Sequence, residues 1–430
     1  MTDAKDAEAL RRHAEARGKV QMAPKCAIAG PEDFAVWYTP GVAAPCRAIQ
    51  AEPERVYEFT NRGNTIAIVS DGSRVLGLGD IGPAAGLPVM EGKALLFKVL
   101  GGVDAVPLCV RTRDMADLAA VVRALEPSFG GINLEDIAQP GCFRVLDELR
   151  ASLSIPVWHD DQQGTATAVF AALTNALALT GRTLARTRIA LVGTGAANVA
   201  VYRLLKACGA EPGAIIACDS LGTLHRGRGD IEAARERYPD KWAMCEESNA
   251  GGVAGGIADA LRGADACIAF SRPEPGLIRA AWVGAMARDA IVFACANPAP
   301  EIWPAEALAA GARIVATGRS DFPNQLNNSL VFPGLFRGAL DAGARAITDA
   351  MALAAGRELA RCGVERGLRE DALLPRMQDW AAVPRVAAAV AMQAQADGVA
   401  RRRAAREDYL REATARIGAA RAMAGMEGRA

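Results

Sequence analysis

The sequence predicts an α/β fold in three parts: an N-terminal α/β domain over 1–162, a Rossmann-type domain with a parallel sheet over 163–345, and C-terminal helices over 346–430. Short β-branched segments alternate with alanine-rich stretches of helix length, which is the pattern of α/β layers. A polar hinge at 180–188 separates two such series. We expect the C-terminal helices to pack back on the first domain or on a dimer partner.

Strands are predicted where apolar, β-branched runs end in polar residues or glycine. In the first domain these runs are 65–71, 105–110 and 155–161, and in the second 189–193, 214–219, 266–271, 290–297 and 312–318. Segments of helix length separate the runs of the second domain, which favours crossover connections in a parallel sheet.

Composition excludes several classes of function. The 430 residues are 51% hydrophobic, and 49 Lys plus Arg balance 49 Asp plus Glu, so no global field attracts nucleic acid. The stretch 401–421 is rich in arginine but has a single aromatic residue, Tyr409, rather than a series of aromatic platforms, which favours a solvated helix or a subunit contact.

Ten cysteines occur without a CxxC pair, which gives no signal for a zinc clip or a redox pair. The charged N-terminus lacks the apolar region of a signal peptide, and the uncharged run 162–180 is too polar for a membrane span. We therefore expect a cytoplasmic protein with no membrane partner.

A glycine turn follows the predicted strand at 189–193 and precedes an apolar helix. Such a turn lets a pyrophosphate sit on the helix N-terminus, and Asp219 closes the next strand, where a carboxylate can accept hydrogen bonds from ribose hydroxyls. The second domain is therefore predicted to bind NAD(P), although a plain strand-to-helix turn with a capping Asp would look similar. The predicted contacts in the turn are Gly193, Thr194, Gly195, Ala196, Ala197 and Asn198, the last in place of the usual third glycine or alanine.

Asp219 favours NAD over NADP, because a carboxylate repels a 2′-phosphate. His225, Arg226 and Arg228 follow closely and could fold back to accept that phosphate. The sequence therefore favours NAD and leaves NADP open.

Two acidic pairs lie at predicted strand ends, Glu135 with Asp136 and Asp160 with Asp161. Hard oxygen ligands without a nearby thiolate or imidazole set suit Mg²⁺ or Mn²⁺. Each pair alone is as well explained by a helix cap or a solvated turn, and His159 is expected to be structural.

Tyr38 lies in an aromatic turn with proline and glycine, and Lys93 lies among largely apolar neighbours. Burial near a divalent cation would lower the lysine pKa from about 10.4 and make the amine a base. The alternatives are a core tyrosine and a lysine that extends its amine to solvent.

Seven separated motifs, in order, resemble the malic enzymes, particularly the short bacterial type. The motifs are WYTPGVAAPC, SDGSRVLGLGDIGPAAGLPVMEGKALLFK, LEPSFGGINLEDI, IPVWHDDQQGTA, GTGAAN, FACANPAPEI and VATGRSDFPNQLNNSLVFPG. The resemblance implies oxidative decarboxylation of (S)-malate to pyruvate and CO2 with NAD(P) and Mg²⁺ or Mn²⁺. It also implies a homodimer.

The resemblance assigns roles to individual residues, with substrate and metal in the N-terminal domain. Glu135, Asp136 and Asp161 match metal ligands, Tyr38 the general acid, Lys93 the general base and Asp160 a supporting acid. Asn297, Asn328 and Arg74 match groups that hold substrate carboxylates, and Ser271 and Asn297 are placed beside the cofactor.

Three alternatives remain open. A relative could use the same site on another hydroxy acid, or as a malolactic or oxaloacetate decarboxylase without net redox. A metal-independent amino-acid dehydrogenase would also couple a lysine to a Rossmann domain, but would leave the acidic cluster unexplained. A catalytically silent cofactor-binding protein would bind NAD without turnover.

Overall fold

The computed structural model of the chain describes residues 3–75 and 77–426. The strands are β1 (Thr65–Ser70), β2 (Asp104–Cys109), β3 (Gly131–Leu134), β4 (Val157–His159), β5 (Ile189–Val192), β6 (Ile215–Asp219), β7 (Gly222–Thr223), β8 (Ala266–Ala269), β9 (Ala290–Ala294) and β10 (Ala312–Thr317).

The helices before the second sheet are α1 (Asp3–Ala16), α2 (Glu32–Trp37), α3 (Ala43–Ala51), α4 (Val56–Phe59), α5 (Gly82–Gly101), α6 (Met115–Leu125), α7 (Gly141–Ser152) and α8 (Thr165–Leu179). The helices that lie between strands of the second sheet along the chain are α9 (Ala196–Ala207), α10 (Gly229–Ala233), α11 (Pro239–Glu247), α12 (Ile257–Leu261), α13 (Ala280–Val283) and α14 (Pro304–Ala309). The last are α15 (Phe332–Asp341), α16 (Asp349–Glu365), α17 (Ala382–Ala396) and α18 (Arg406–Met423), and Asp160–Gly164 forms one π-helical turn.

Two sheets carry the fold. The first has the order β2-β1-β3-β4 and is parallel throughout, and the second has the order β10-β9-β8-β5-β6-β7. The predicted parallel second sheet is confirmed for five strands, whereas β7 pairs antiparallel with β6. The exception arises because only two residues separate β6 from β7, which allows a hairpin but no crossover.

β1 shows how the first sheet is buried on both faces. Ile66 and Ile68 belong to a core shared with α5 and the C-terminal helices, whereas Ala67 and Val69 belong to a core shared with α6, α7 and α8. Because alternate side chains of a strand point to opposite faces, a continuous apolar run is required here.

The C-terminal helices cover the first sheet rather than the second. α15 and α18 pack on α5, α16 packs on α8, and α17 contacts α15, α16 and α18. The predicted boundary of the Rossmann-type domain at 345 stays a prediction; in the structure, Phe332, Leu335 and Phe336 of α15 are buried beside Phe97 of α5. Apolar burial therefore returns the chain to the first unit once β10 has ended.

Membrane-crossing elements are not found in the part of the chain that the structure describes. Among its helices, none is both long enough and apolar enough to span a bilayer.

The crossing of α15 and α17 depends on Gly338. A Cβ at this position would lie 2.2 Å from the carbonyl oxygen of Ala387 and 2.8 Å from Cβ of Val390. We expect Gly338→Ala to lower the free energy of unfolding by about 1–3 kcal/mol, because the two helix backbones must separate.

Gly418 of α18 provides the matched control, since a Cβ placed on it would have no neighbouring atom within 4 Å. Gly418→Ala should raise the free energy of unfolding by up to about 1 kcal/mol, because alanine favours a helix. Urea denaturation followed by circular dichroism measures both. Equal effects of the two substitutions would contradict the tight crossing.

Candidate active site

A cavity of about 740 Å³ lies where the carboxyl edges of the two sheets face each other. Its volume is within the range of small-molecule sites. The predicted residues that line this active-site cavity are Arg74, Lys93, Glu135, Asp136, Asp161, Gly195, Ala196, Ala197, Ser271, Asn297 and Asn328.

Lys93 is buried on α5, and its ammonium group contacts two carboxylates at once. Its Nζ lies 2.5 Å from Oδ2 of Asp160 and 2.8 Å from Oε1 of Glu135. The same nitrogen lies 4.3 Å from the centre of the Phe332 ring. A buried ammonium group needs such partners, and they fix its position in the cavity wall.

Two strand residues hold these acids from within the sheet. The Asn133 amide donates to Oε2 of Glu135 at 2.8 Å, and the Trp158 indole N–H donates to Oδ1 of Asp160 at 3.2 Å. Asn133 and Trp158 are partners in register on β3 and β4. Neither was predicted from the sequence, although each lies two residues before its acid and therefore on the same face of its strand.

The π-helical turn after β4 depends on Gly164. A Cβ at this position would lie 1.9 Å from Oδ1 of Asp160, so any side chain would displace that carboxylate. Gly164 was not predicted as a site residue either, although it closes the DDQQG segment of one of the motifs.

Negative charge is in excess around the cavity. Four acids, Glu135, Asp136, Asp160 and Asp161, face two cations, Arg74 and Lys93, which leaves two negative charges. Desolvation raises the pKa of Glu135 well above its ordinary value, and also raises the pKa of Asp160 and of Asp161, against the opposing charge of Lys93. The cluster therefore favours binding of a further positive charge.

Without a bound cation the pKa of Lys93 is raised, and its expected lowering beside a divalent cation stays a prediction. Desolvation does lower the pKa, but the charges of Asp160, Glu135 and Asp161, with the hydrogen bond to Asp160, outweigh it and raise the pKa of Lys93. The acids lie so close that they stabilise the ammonium form.

The three predicted metal ligands share the cavity but not one coordination point. Glu135 is turned toward Lys93, and Oδ2 of Asp161 accepts from the backbone N–H of Asp136 at 2.8 Å. Across residues 3–75 and 77–426, no three His, Cys, Asp or Glu side chains are arranged to hold an ion as they stand. Their hard oxygen donors and excess charge fit Mg²⁺ or Mn²⁺, but Glu135 and Asp161 would have to exchange their present partners for the ion.

The glycine turn begins the opposite wall. Gly193 has φ +92°, and a Cβ there would lie 2.4 Å from the carbonyl oxygen of Phe270, so the turn requires glycine. Gly195 is the N-cap of α9 and lines the cavity, whereas Gly193 and Thr194 are not among the lining residues. The Asn198 amide donates to the carbonyls of Val192 and Gly193, both at 2.9 Å, so this predicted cofactor residue holds the turn from within.

Asp219 ends β6 outside the cavity lining and is paired with Arg228. The guanidinium group donates to Oδ1 at 3.1 Å and to Oδ2 at 3.0 Å, and it also binds Asp230. The two other candidate phosphate ligands are engaged as well: Arg226 donates to the carbonyl of Glu246, and the His225 ring accepts from the backbone N–H of Gly227.

Glu301 is a further site residue that was not predicted from the sequence. Its buried carboxylate accepts from the backbone N–H of Ser271 at 2.7 Å and of Ala296 at 3.1 Å. These contacts join the loops after β8 and β9, which carry Ser271 and Asn297 into the cavity. The signal available in the sequence was a lone acid in the apolar NPAPEI segment.

Tyr38 does not meet Lys93 within one chain. Its side chain is 71% exposed, and it follows α2, whose Phe34, Val36 and Trp37 are exposed as well. Local backbone bonds such as Tyr38 N–H to the Phe34 carbonyl hold the turn, so nothing draws the phenol into this chain's cavity. The predicted role of Tyr38 stays a prediction.

Comparison with known proteins is consistent with this arrangement. The family model "Malic enzyme, N-terminal domain" matches residues 17–150, and "Malic enzyme, NAD binding domain" matches residues 162–395. The chain belongs to the malic enzyme family. The predicted enzyme class, an NAD- or NADP-dependent malic enzyme, is confirmed with it.

Individual malic enzymes match along most of their length. A bifunctional malic/malolactic enzyme of Bacillus subtilis is 44% identical over 92% of this chain and 94% of its own, and an NAD-dependent malic enzyme of Geobacillus stearothermophilus is 45% identical over 90% and 78%. The crystal structure of Entamoeba histolytica malic enzyme superposes with a TM-score of 0.94 at 45% identity, over 98% of this chain and 88% of that one. Matches at 40–45% identity include both NAD- and NADP-dependent malic enzymes.

His159, expected to be structural in this malic enzyme, is fully buried, and neither ring nitrogen has a hydrogen-bond partner among the described residues. Burial lowers the pKa of His159 to about 3. Below the unfolded-state pKa of about 6.5 the unfolded chain gains a proton that the folded chain does not. The free energy of unfolding therefore decreases as the pH is lowered.

We expect wild type to lose up to about 1.4 kcal/mol of unfolding free energy per pH unit, relative to His159→Phe, as pH falls from about 6.5. Above pH 7 the two proteins should differ little, because the ring forms no hydrogen bond that phenylalanine would lose. Urea denaturation at pH 7.5, 6.0 and 5.0 measures this. Parallel stability curves would show that His159 takes up its proton while folded.

Proposed function

We propose that the chain catalyses the oxidative decarboxylation of (S)-malate to pyruvate and CO2 with reduction of NAD, in a reaction that depends on a divalent cation. The observation that carries this proposal is one cavity that joins the Lys93 and carboxylate cluster to the glycine turn before α9. Family membership and the names of the relatives support the same reaction.

Malate is a dianion, and the cavity offers donors for both carboxylates. Arg74 can pair bidentately with one, because its guanidinium group presents parallel N–H donors. Asn297 and Asn328 supply neutral amide donors from the opposite wall. Gly318 leaves room for the first amide, since a Cβ there would lie 2.6 Å from Nδ2 of Asn297.

Glu135, Asp136 and Asp161 would hold Mg²⁺ or Mn²⁺. The two negative charges left around the cavity match the charge of one divalent ion. Bound there, the ion would act as a Lewis acid toward the C2 oxygen of the substrate. By engaging Glu135 and Asp161 it would also offset two of the charges that stabilise the Lys93 ammonium group, so that desolvation and the charge of the ion would oppose Asp160 alone and lower the lysine pKa.

Lys93 in its neutral form takes the proton of the C2 hydroxyl, and NAD held at the glycine turn would supply the acceptor for the C2 hydride. As CO2 departs, the electrons of the C3–C4 bond form the C2–C3 double bond and those of the C2 carbonyl π bond move onto its oxygen, which gives enolpyruvate. Asp160 keeps the amine in place through its 2.5 Å contact with Nζ. A proton from Tyr38 to C3 completes pyruvate.

We propose that Tyr38 acts in the cavity of a second copy, in a homodimer. Exposed aromatic and aliphatic side chains on one short helix and its turn are typical of an interface: they are Phe34, Val36, Trp37, Tyr38 and Val42. No tyrosine is among the described residues that line the cavity, and such a contact would bring the Tyr38 phenol to C3.

NAD is favoured over NADP by the arrangement around Asp219. Arg228 is buried and already shared by Asp219 and Asp230, so it is not available to a 2′-phosphate. Lys241 lies 3.6 Å from the same Asp219 carboxylate. Oδ1 of Asp219 also accepts from the backbone N–H of Leu221, so it is Oδ2 that keeps a lone pair for a ribose hydroxyl.

A malolactic reaction in the same cavity is a second candidate, because one relative is named a bifunctional malic/malolactic enzyme. It would release lactate rather than free NADH, since the pyruvate would be reduced before it leaves.

Initial rates with (S)-malate test the function. We expect NADH absorbance and pyruvate with NAD and Mn²⁺, a lower rate with NADP, and loss of activity with a chelator that added Mn²⁺ or Mg²⁺ restores. Lactate without NADH would instead support the malolactic reaction. Turnover that survives the chelator would contradict the role of the acidic cluster, and NAD binding without turnover would contradict the proposal as a whole.

Mixed dimers test the roles of Lys93 and Tyr38. Lys93→Ala should abolish oxidation, and Tyr38→Phe should mainly slow ketonisation of the enol. If Tyr38 acts across the dimer, refolding the two variants together should restore about a quarter of wild-type pyruvate formation, because half of the dimers are mixed and each has one intact cavity.

Tyr238→Phe mixed with Lys93→Ala is the control, since Tyr238 lies outside the cavity lining and its variant carries an intact Tyr38. In this mixture each Tyr238→Phe subunit keeps Lys93, and both variants keep Tyr38. The mixture should therefore show the pyruvate formation expected from its content of Tyr238→Phe subunits, with no further gain. No recovery in the first mixture, despite confirmed exchange of subunits, would contradict a shared site.

A further inference from the structure

A second cleft, of about 460 Å³, shares no lining residue with the active-site cavity. It lies between α4, the turn before β1, the end of α15 and α18. Its cationic lining residues are Lys25, Arg337, Arg401, Arg402 and Arg416, and its acidic ones are Glu54 and Asp341.

Positive charge remains after every ion pair is counted. Glu54 binds Arg401 at 2.7 Å, and Glu412, beside the cleft, binds Arg402 through both carboxylate oxygens. Five cations against Glu54, Asp341 and Glu412 leave two positive charges.

Asp341 is shared by two guanidinium groups. Arg337, of which 1% of the side chain is exposed, binds it at 2.8 Å, and Nε of Arg416 lies 3.6 Å from the same Oδ1 atom. One carboxylate therefore balances a buried and a half-exposed arginine. Because Arg337 is better placed, the charge of Arg416 is left largely uncompensated.

Arg416 also has donors to spare. Its side chain is 51% exposed, and its one ion pair among the described residues is the one with Asp341, although the charge of Glu412, one turn earlier on α18, also acts on it. Lys25 is similar, since within 3–75 and 77–426 its Nζ has one hydrogen-bond partner, the Asn61 amide oxygen at 2.5 Å. Both groups therefore offer N–H donors to a ligand in the cleft.

The aromatic ring at this cleft is already covered. Tyr57 lies under the guanidinium groups of Arg62, at 4.9 Å, and Arg401, at 4.8 Å. A flat base has no free ring on which to stack, so recognition here depends on charge and hydrogen bonds rather than on stacking.

We propose that this cleft binds a small polyanion that carries two or more phosphate or carboxylate groups. Its volume is in the range of small-molecule sites, and its two surplus charges are matched by two anionic groups. A guanidinium group can donate two parallel hydrogen bonds to two oxygens of either a carboxylate or a phosphate.

Calorimetric titration of the full-length chain tests the proposal, with inorganic pyrophosphate in one arm and citrate in the other. Saturating NAD is present throughout, because the glycine turn before α9 is a competing site for pyrophosphate. We expect one anion to bind per chain, and Arg416→Gln to weaken binding about tenfold or more. Binding of only one of the two anions would show whether phosphate or carboxylate is preferred.

Arg411→Gln is the matched control. It removes the same charge from the same helix, but its side chain binds Asp408 and does not line the cleft. The Arg411→Gln variant should bind each anion with the same affinity as wild type. Equal affinity of all three proteins, or no binding by wild type, would overturn the proposal.

A second copy of the chain could fill the cleft instead, and light scattering separates that case. If Arg416→Gln changes the oligomeric state while neither anion binds wild type, the cleft is a contact between copies and the proposal is wrong.

Discussion

The buried contact of Lys93 with Asp160 and Glu135 is the constraint around which the first unit is arranged. Lys93 lies on α5, Asp160 in the π-helical turn and Glu135 directly after β3. The ring of Phe332 of α15 packs against the ammonium group. Removing one partner of such a group typically costs about 3–5 kcal/mol, because the remaining charge stays buried. Asn133, Trp158 and Gly164 are explained by the same need, since each fixes or makes room for one of the two acids.

The active-site cavity follows from the direction of the strands. Parallel strands bring their carboxyl ends to one edge, so the acids after β3 and β4 meet without being near in sequence. In the second sheet the chain runs from β5 to β6 on one side and places β8 on the other, which opens a crevice between the ends of β5 and β8. The two edges face each other, and a cofactor bound at one can react with a substrate bound at the other.

Local charge matters more here than net charge. The formal charge of the whole chain is zero, yet two negative charges are in excess at the active-site cavity and two positive charges at the cleft beside α18. Both imbalances are partly buried, where an uncompensated charge has a stronger effect than on an exposed surface. The first favours a divalent cation, and the second favours an anion.

Sequence patterns were enough to predict the α/β class, most strands and the glycine turn, because periodicity and short motifs record local structure, and the resemblance to the malic enzymes implied most residues of the cavity walls. Three features became known from the packed chain alone: α15 belongs to the first unit, Asn198 holds the turn, and Tyr38 lies outside its own chain's cavity. The direction of the Lys93 pKa shift is a fourth. That direction depends on the distance between charges 67 residues apart in the chain, which no local pattern contains.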